Sequence, residues 1–253
     1  MKLSIVTAVF NRAETIADAL SSVQAQSHAP LEHVIQDGGS SDGTVGIIKA
    51  HETEETHLVS EPDRGIYDAI NKGISRASGD VVGLMHSDDF FAHDRVLERV
   101  AEMFKNPDIE GVYGDLDYVS ASNPSKVIRH WRSGPYNRAQ LRRGWMPPHP
   151  TLYLRRQVFE EWGLYDSAFQ IAADYDAMLR YLWTGNVRLA YLPEVLVKMR
   201  VGGESNRSLG RLLQKSREDY AALRRNGVGG AGALFFKNAI KLQQFIIRER
   251  PNA

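Results

Sequence analysis

The 253-residue chain contains no cysteine. Disulfide frameworks, thiolate metal sites and cysteine nucleophiles are therefore excluded, and a reducing compartment such as the cytoplasm fits the absence. Net charge is also absent, with 31 Lys and Arg against 31 Asp and Glu. The basic residues are not interleaved with aromatics on a recognition module, so no nucleic-acid partner is expected. The apolar run in the opening MKLSIVTAVFNR is too short for a membrane span and lacks a small-residue cleavage site; it reads as the first strand of the fold. There is no Walker A pattern, which leaves an ATPase of that type without support. One G-x-G-x-x-G does occur, over Gly227–Gly232, but it follows an arginine-rich helical stretch where a dinucleotide loop needs a strand. It reads as a joint between two helices. Internal repeats and low-complexity tracts are missing too.

What is present is ordinary globular composition, 43% hydrophobic and 25% charged, in a chain long enough for one large α/β domain. Lys2–Val9, Leu31–Gln36, Thr56–Ser60, Asp80–Met85 and Gly111–Val119 read as strands. Between them Glu14–Gln26, Thr44–His51, Ile66–Ala77 and Asp94–Lys105 carry apolar residues at helical spacing, among them Ile66, Ile70 and Ile74. Strands alternating with helices mean βαβ units and a parallel, doubly wound sheet. From about Ser122 the pattern loosens toward α+β, then Asp174–Trp183 returns to helix. Two further helices are expected over Arg207–Arg225 and Ala233–Arg248.

Open α/β sheets bind ligands at the carboxyl ends of their strands. Three expected strands end in chemistry here: Val9-Phe10-Asn11-Arg12, then Asp37-Gly38-Gly39-Ser40-Ser41-Asp42-Gly43-Thr44, then His86-Ser87-Asp88-Asp89. The second run suits either a tight turn offering N–H groups to a polar ligand or a helix start capped by Ser41 or Asp42. In the third, GLMHSDDFF, two adjacent carboxylates follow an apolar strand. They repel unless a cation or several donors sits beside them, and a hard divalent ion with open positions for diphosphate oxygens meets that need. A capped, solvated turn explains the same residues.

The ordered set TAVFNR, DGGSSDGT, EPDRGIYDAINKGISRASGD and HSDD resembles the family 2 inverting glycosyltransferases of the GT-A fold, of the bacterial exopolysaccharide and glycolipid type, over roughly residues 1–205. The resemblance implies a Rossmann-like three-layer α/β/α domain with a mostly parallel central sheet and a C-terminal helical extension. Residues 1–119 would form the nucleotide-sugar half, 120–205 the acceptor half, and 206–253 basic amphipathic helices. It assigns Thr7, Phe10, Asn11, Asp37, Arg64 and Asp88 to the donor nucleotide, and Asp89 to a divalent cation, Mn2+ or Mg2+. Phe10 stands where a tyrosine is frequent, which preserves stacking but not a phenolic hydrogen bond. Ser87-Asp88-Asp89 departs from strict D-x-D at its first position. The catalytic base falls on Asp174, in Ala172-Ala173-Asp174-Tyr175-Asp176, with Asp176 as an alternative; the family more often has Glu where Ala173 stands. Gly202-Gly203-Glu204-Ser205 resembles a mobile segment closing over the donor, and His149 is a candidate acceptor contact or metal ligand.

The implied reaction is one displacement: Asp174 takes a proton from a hydroxyl of a glycan or lipid-linked acceptor, a nucleotide-diphosphate sugar donates, and the anomeric configuration inverts. Residues 204–253 carry a charge of +6 against −6 for the rest. With Leu234, Phe235, Ile240 and Phe245 beside Lys237 and Lys241, this end suits contact with an anionic membrane surface, and hence a cytoplasmic protein peripheral on the inner face of the cell membrane. Two other readings stay open. A sugar nucleotidyltransferase would carry a Gly-rich, basic loop after strand one, which VFNRAET lacks; a non-catalytic nucleotide-sugar-binding subunit would keep the pocket without turnover.

Overall fold

The computed structural model describes residues 1–201, 209–234 and 237. The first strand, β1 (Leu3–Val9), shows why the chain folds in layers. Leu3, Ile5 and Val9 face one apolar cluster and Val6 faces the other, as the two-residue period of a strand requires. β2 (Leu31–Asp37), β3 (Thr56–Ser60) and β4 (Val81–Leu84) run parallel to it in the order β3-β2-β1-β4. The intervening helices are α1 (Ile16–Gln24), α2 (Thr44–Ala50) and α3 (Ile66–Arg76).

The remaining elements are β5 (Phe90–Phe91), α4 (Val96–Met103), β6 (Gly111–Val119), β7 (Val127–Trp131), β8 (Tyr153–Arg155), α5 (Arg156–Trp162), α6 (Ala173–Leu179), β9 (Leu189–Arg200) and α7 (Leu209–Arg225). They extend the sheet to β3-β2-β1-β4-β8-β6-β9-β5, with β7 paired to β6. The sheet stays parallel through β4 and becomes mixed beyond it, because β8 is antiparallel to both β4 and β6. The apolar residues of α1, α2 and α4 pack on one face, and those of α3, α5, α6 and α7 on the other. The result is the three-layer α/β/α architecture.

One strand is not read from the sequence, and one segment departs from its expectation. Leu189–Arg200 contains Pro193, which argues against a central strand, yet it pairs along β6. The register accommodates the proline by skipping from Tyr113↔Tyr191 to Asp115↔Val195, so the residue that cannot donate lies in an irregularity of the ladder. The C-terminal basic segment is also less exposed than expected. Ala222 and Leu223 of α7 are buried in the same cluster as α6. Lys237, expected on a membrane-facing surface, is buried, with Nζ 2.7 Å from Asp219 Oδ1 and 3.1 Å from the centre of the Tyr175 ring. Phe235, Ile240, Lys241, Phe245 and the Gly202–Ser205 segment lie outside the described residues. Among the described residues no helix is long and apolar enough to cross a membrane.

The packing of α3 on β1 decides how closely the site-bearing loops approach. Ala69, Ile70, Gly73 and Ile74 form its buried face, whereas Ile66 at its first position is exposed. A Cβ added to Gly73 would lie 2.3 Å from Val6 Cγ1. Gly73→Ala is therefore expected to lower unfolding free energy by about 1–3 kcal/mol in urea titration, despite the higher helix propensity of alanine.

Candidate active site

Three strand ends and one helix start converge at one edge of the sheet. The end of β1 and the loop after β2 are laced together by backbone-directed bonds. Asn11 adopts a positive φ of 50°, a conformation asparagine tolerates better than most residues. Its N–H donates to Ser40 Oγ and its Oδ1 accepts from Ser41 N. Arg12 N donates to Thr44 Oγ1 and Ala13 N to Asp42 Oδ2. Asp42 also accepts from Thr44 N, with Gly43 at φ 97° leading into α2. Phe10, between the two, is 56% exposed.

This lacing settles where two residues expected on the donor lie. Thr7 shares the face of Ile5 and Val9, so strand alternation turns it into the interior, where Oγ1 is 2.9 Å from His33 Nε2. Asp37 is 0% exposed and accepts from Gly39 N, Ser40 N, Ser40 Oγ and Ser60 Oγ. It folds the DGGSS turn rather than facing open space. Arg64 points away from the protein, 82% exposed at its side chain, and pairs with Asp68 at 3.0 Å.

The paired carboxylates are unequal in their surroundings. Asp89 is 1% exposed, its Oδ1 accepting from Arg200 N at 3.1 Å. Asp88 lines a cleft of about 350 Å3 together with Asn11, Arg12, Thr15, Asp42 and Arg200. Burial, then the neighbouring Asp88 charge, holds the Asp89 carboxyl well above the usual carboxylate range. Arg200 restrains the turn. Its guanidinium donates to the Asp88 carbonyl at 2.7 Å and to Asp18, and lies over the Phe90 ring. Among the described residues no group of three or more His, Asp or Glu side chains could hold a metal ion alone. A hard ion on a diphosphate usually takes part of its ligand set from the phosphate oxygens and water.

Across from this turn, Asp174 lies in the first turn of α6, half-buried. Tyr67 Oη donates to its Oδ1 at 3.2 Å and to the Ile171 carbonyl at 2.8 Å. Burial and the Asp174 charge push the Tyr67 hydroxyl far up, so it remains a donor at any physiological pH. Glu218, reaching from α7, accepts from Ile171 N and Ala172 N at 2.8 and 2.9 Å, the N–H groups that lead into α6. Asp176, the alternative base, is buried on the other side of the helix and accepts from Asn226 Nδ2. Two histidines bridge the halves. His86 feels both Asp88 and Asp174, which oppose the downward push of burial. His149, whose ring centroid is 5.9 Å from that of His86, shares a 2.8 Å hydrogen bond with Tyr165. Tyr67, Arg200 and Glu218 carry no local signal of a site role; each becomes visible only through contacts 104, 112 and 47 residues away in sequence.

Comparison with known proteins identifies the family and the fold. The model of "Glycosyl transferase family 2" matches residues 4–163. An uncharacterized glycosyltransferase of Mycobacterium tuberculosis is 31% identical over 188 residues, covering 70% of this chain and 68% of that protein. Two solved structures share the fold. TarS of S. aureus aligns with 97% of this chain at a TM-score of 0.66 and 17% identity, the match spanning 43% of the TarS chain. The mannosyltransferase PcManGT of Pyrobaculum calidifontis, solved with GDP-Man and Mn2+, aligns with 98% of this chain and 76% of its own at 0.65 and 16%.

His149 makes the site sensitive to acid. Burial is the main cause of its pKa falling to about 4, the Asp174 charge opposing it. Because the folded protein holds the ring neutral, the stability it contributes is complete above the unfolded value near 6.5 and is lost as pH falls toward 4. Unfolding free energy measured from pH 7 down to pH 5 is expected to decline less steeply in His149→Asn than in the wild type, by about one proton's worth of slope.

Proposed function

The chain belongs to the family 2 glycosyl transferases, and on that premise we propose that it moves a sugar from a nucleotide-diphosphate sugar to a hydroxyl of a glycan or lipid-linked glycolipid, with inversion. The observation that supports the proposal is that Asp88 at the cleft wall and Asp174 at the start of α6 are both near enough to His86 for their charges to act on its ring. A base and a leaving-group site must face each other across the reacting carbon, and in this reading Asp174 and the Asp88 turn take those two roles.

Asp174 is the general base. Its carboxylate is held by Tyr67 through one oxygen, leaving the other to receive the acceptor hydroxyl proton. Tyr67 fixes the rotamer, and Glu218 fixes the helix end that carries it. The nucleotide lies along the β1 and β2 ends, with Phe10 offering an aromatic face and Asn11 holding the loop against which the phosphates rest. Thr7 and Asp37 support this surface from beneath, and Arg64 is free to swing from its exposed pair with Asp68 toward a bound donor.

A divalent cation fits the carboxylate turn. Asp89 is buried with its carboxyl pushed up, the mark of a site short of positive charge, and Asp88 stands at the cleft wall beside it. Asp89 would hold the ion, with Asp88 at the cleft wall reaching the donor ribose or the shell of the ion; PcManGT, with the same fold, was solved with Mn2+. When bound, the ion supplies charge stabilisation for the departing diphosphate.

Asp174→Asn is expected to lower kcat by about 10²–10⁴-fold while nucleoside diphosphate plus Mn2+ still raises the Tm of the variant. Turnover within a few-fold of wild type with any active donor would remove Asp174 from the mechanism. Donor binding without any transfer by the wild type would instead favour a non-catalytic binding subunit.

A further inference from the structure

Three of the large apolar side chains left exposed among the described residues sit on one helix. Leu213 of α7 is 66% exposed, Leu212 45% and Tyr220 42%. Single exposed apolar residues are ordinary on a folded protein, but these are not scattered. Leu213, Arg217, Tyr220 and Arg224 follow one another at intervals of four, three and four residues, so they share one face of the helix, and all four are exposed. Charge on α7 is sorted in the same way. Its two acids, Glu218 and Asp219, turn toward the protein: Glu218 accepts from Ile171 N and Ala172 N, and Asp219 is buried against Lys237 Nζ. Arg225 pairs with Asp166. Arg217 and Arg224 have no carboxylate partner among the described residues. The outer face therefore combines leucine, tyrosine and arginine without the acids that usually balance a solvated helix.

We propose that this outer face of α7 docks the protein on an anionic lipid bilayer. Leu213 and Tyr220, with Leu212 at the flank, enter the headgroup boundary, and Arg217 and Arg224 beside them meet lipid phosphates. Charge complementarity favours a bilayer over a second copy of the chain, because two copies meeting on this face would bring two basic surfaces together. The placement bears on the site. α7 packs on α6, and Gln214 Nε2 donates to Gln170 Oε1 at 2.8 Å just ahead of the segment that leads into α6. Only the thickness of α7 separates a bilayer on this face from the helix that carries Asp174. The docking surface goes beyond the sugar-transfer reading and does not rest on it; where both hold, the acceptor hydroxyl belongs to a molecule anchored in that bilayer.

The test is flotation of the full chain, without donor, on vesicles of phosphatidylglycerol and phosphatidylcholine and on vesicles of phosphatidylcholine alone. The wild type is expected to float with the anionic vesicles, to stay behind with the neutral ones, and to be released by high salt. Arg217→Gln with Arg224→Gln is expected to lower the partition coefficient by about tenfold or more, and Leu213→Gln with Tyr220→Gln by at least about fivefold. All four side chains are exposed, so each double variant is expected to keep the wild-type Tm. Lys241→Gln with Arg248→Gln, further along the basic C-terminal segment, serves as the comparison and is expected to change the partition less than either. Absence of flotation by the wild type, equal flotation on neutral vesicles, or full flotation by both folded α7 variants overturns the assignment. Self-association in sedimentation velocity that Leu213→Gln abolishes, without flotation, gives the face to a second copy instead. Flotation needs neither donor nor turnover, so its failure leaves sugar transfer standing, and failure of transfer leaves the docking surface to be judged by flotation.

Discussion

Two carboxylates at the end of a buried strand impose the constraint around which the site is arranged. An uncompensated buried charge costs several kcal/mol, and Asp89 lies at 1% exposure with Asp88 adjacent to it. Arg200 answers part of that demand. The end of β9 brings its N–H to Asp89, while its guanidinium reaches the Asp88 carbonyl and Asp18. The pairing of Phe90 with Lys198 and Phe91 with Val197 straps the same turn to β9. The carboxylate turn is thereby held rigid from three elements, yet the Asp89 carboxyl is still held well above its ordinary range. The remaining deficit of positive charge is what a cation arriving with a diphosphate would supply.

The opposite wall depends on the far end of the chain. α6 is short, and a short helix draws its stability from packing more than from its own hydrogen bonds. Here α7 provides it: Glu218 closes the N–H groups ahead of α6, Asn226 binds Asp176, and Arg225 pairs with Asp166. Asp174 is therefore presented by residues more than forty positions downstream. The first half of the chain supplies the laced β1 and β2 loops, the proposed nucleotide floor, and the carboxylate turn. The second half supplies Asp174, the proposed base, and α7 fixes the start of the helix that carries it. His86 and His149, kept toward the neutral form by burial, line the space between them without adding a permanent charge.

Much of this was legible in the sequence where the signal is local. β1, β2, β3 and the helices between them announce themselves by period, and DGGSSDGT and HSDD do fall at strand ends. The direction of individual side chains was harder to read. Thr7 faces inward because of where β1 begins its alternation, and Asp37 is consumed by the turn it initiates. How deeply Asp89 is buried depends on the register between β5 and β9, and β9 itself is obscured by Pro193. Tyr67, Arg200 and Glu218 act through contacts between distant segments, which no window of sequence contains. The basic C-terminal segment carries a charge pattern that fits a surface helix, but Lys237 spends its charge on Asp219 and the Tyr175 ring.

The proposed mechanism, with one base and one leaving-group site, is a single displacement without a covalent sugar intermediate. The anomeric configuration of the product records that directly. Proton NMR of the anomeric coupling during early turnover with an α-linked nucleotide sugar is expected to show the β-linked product from the first time points. An α-linked product would contradict direct displacement assisted by Asp174.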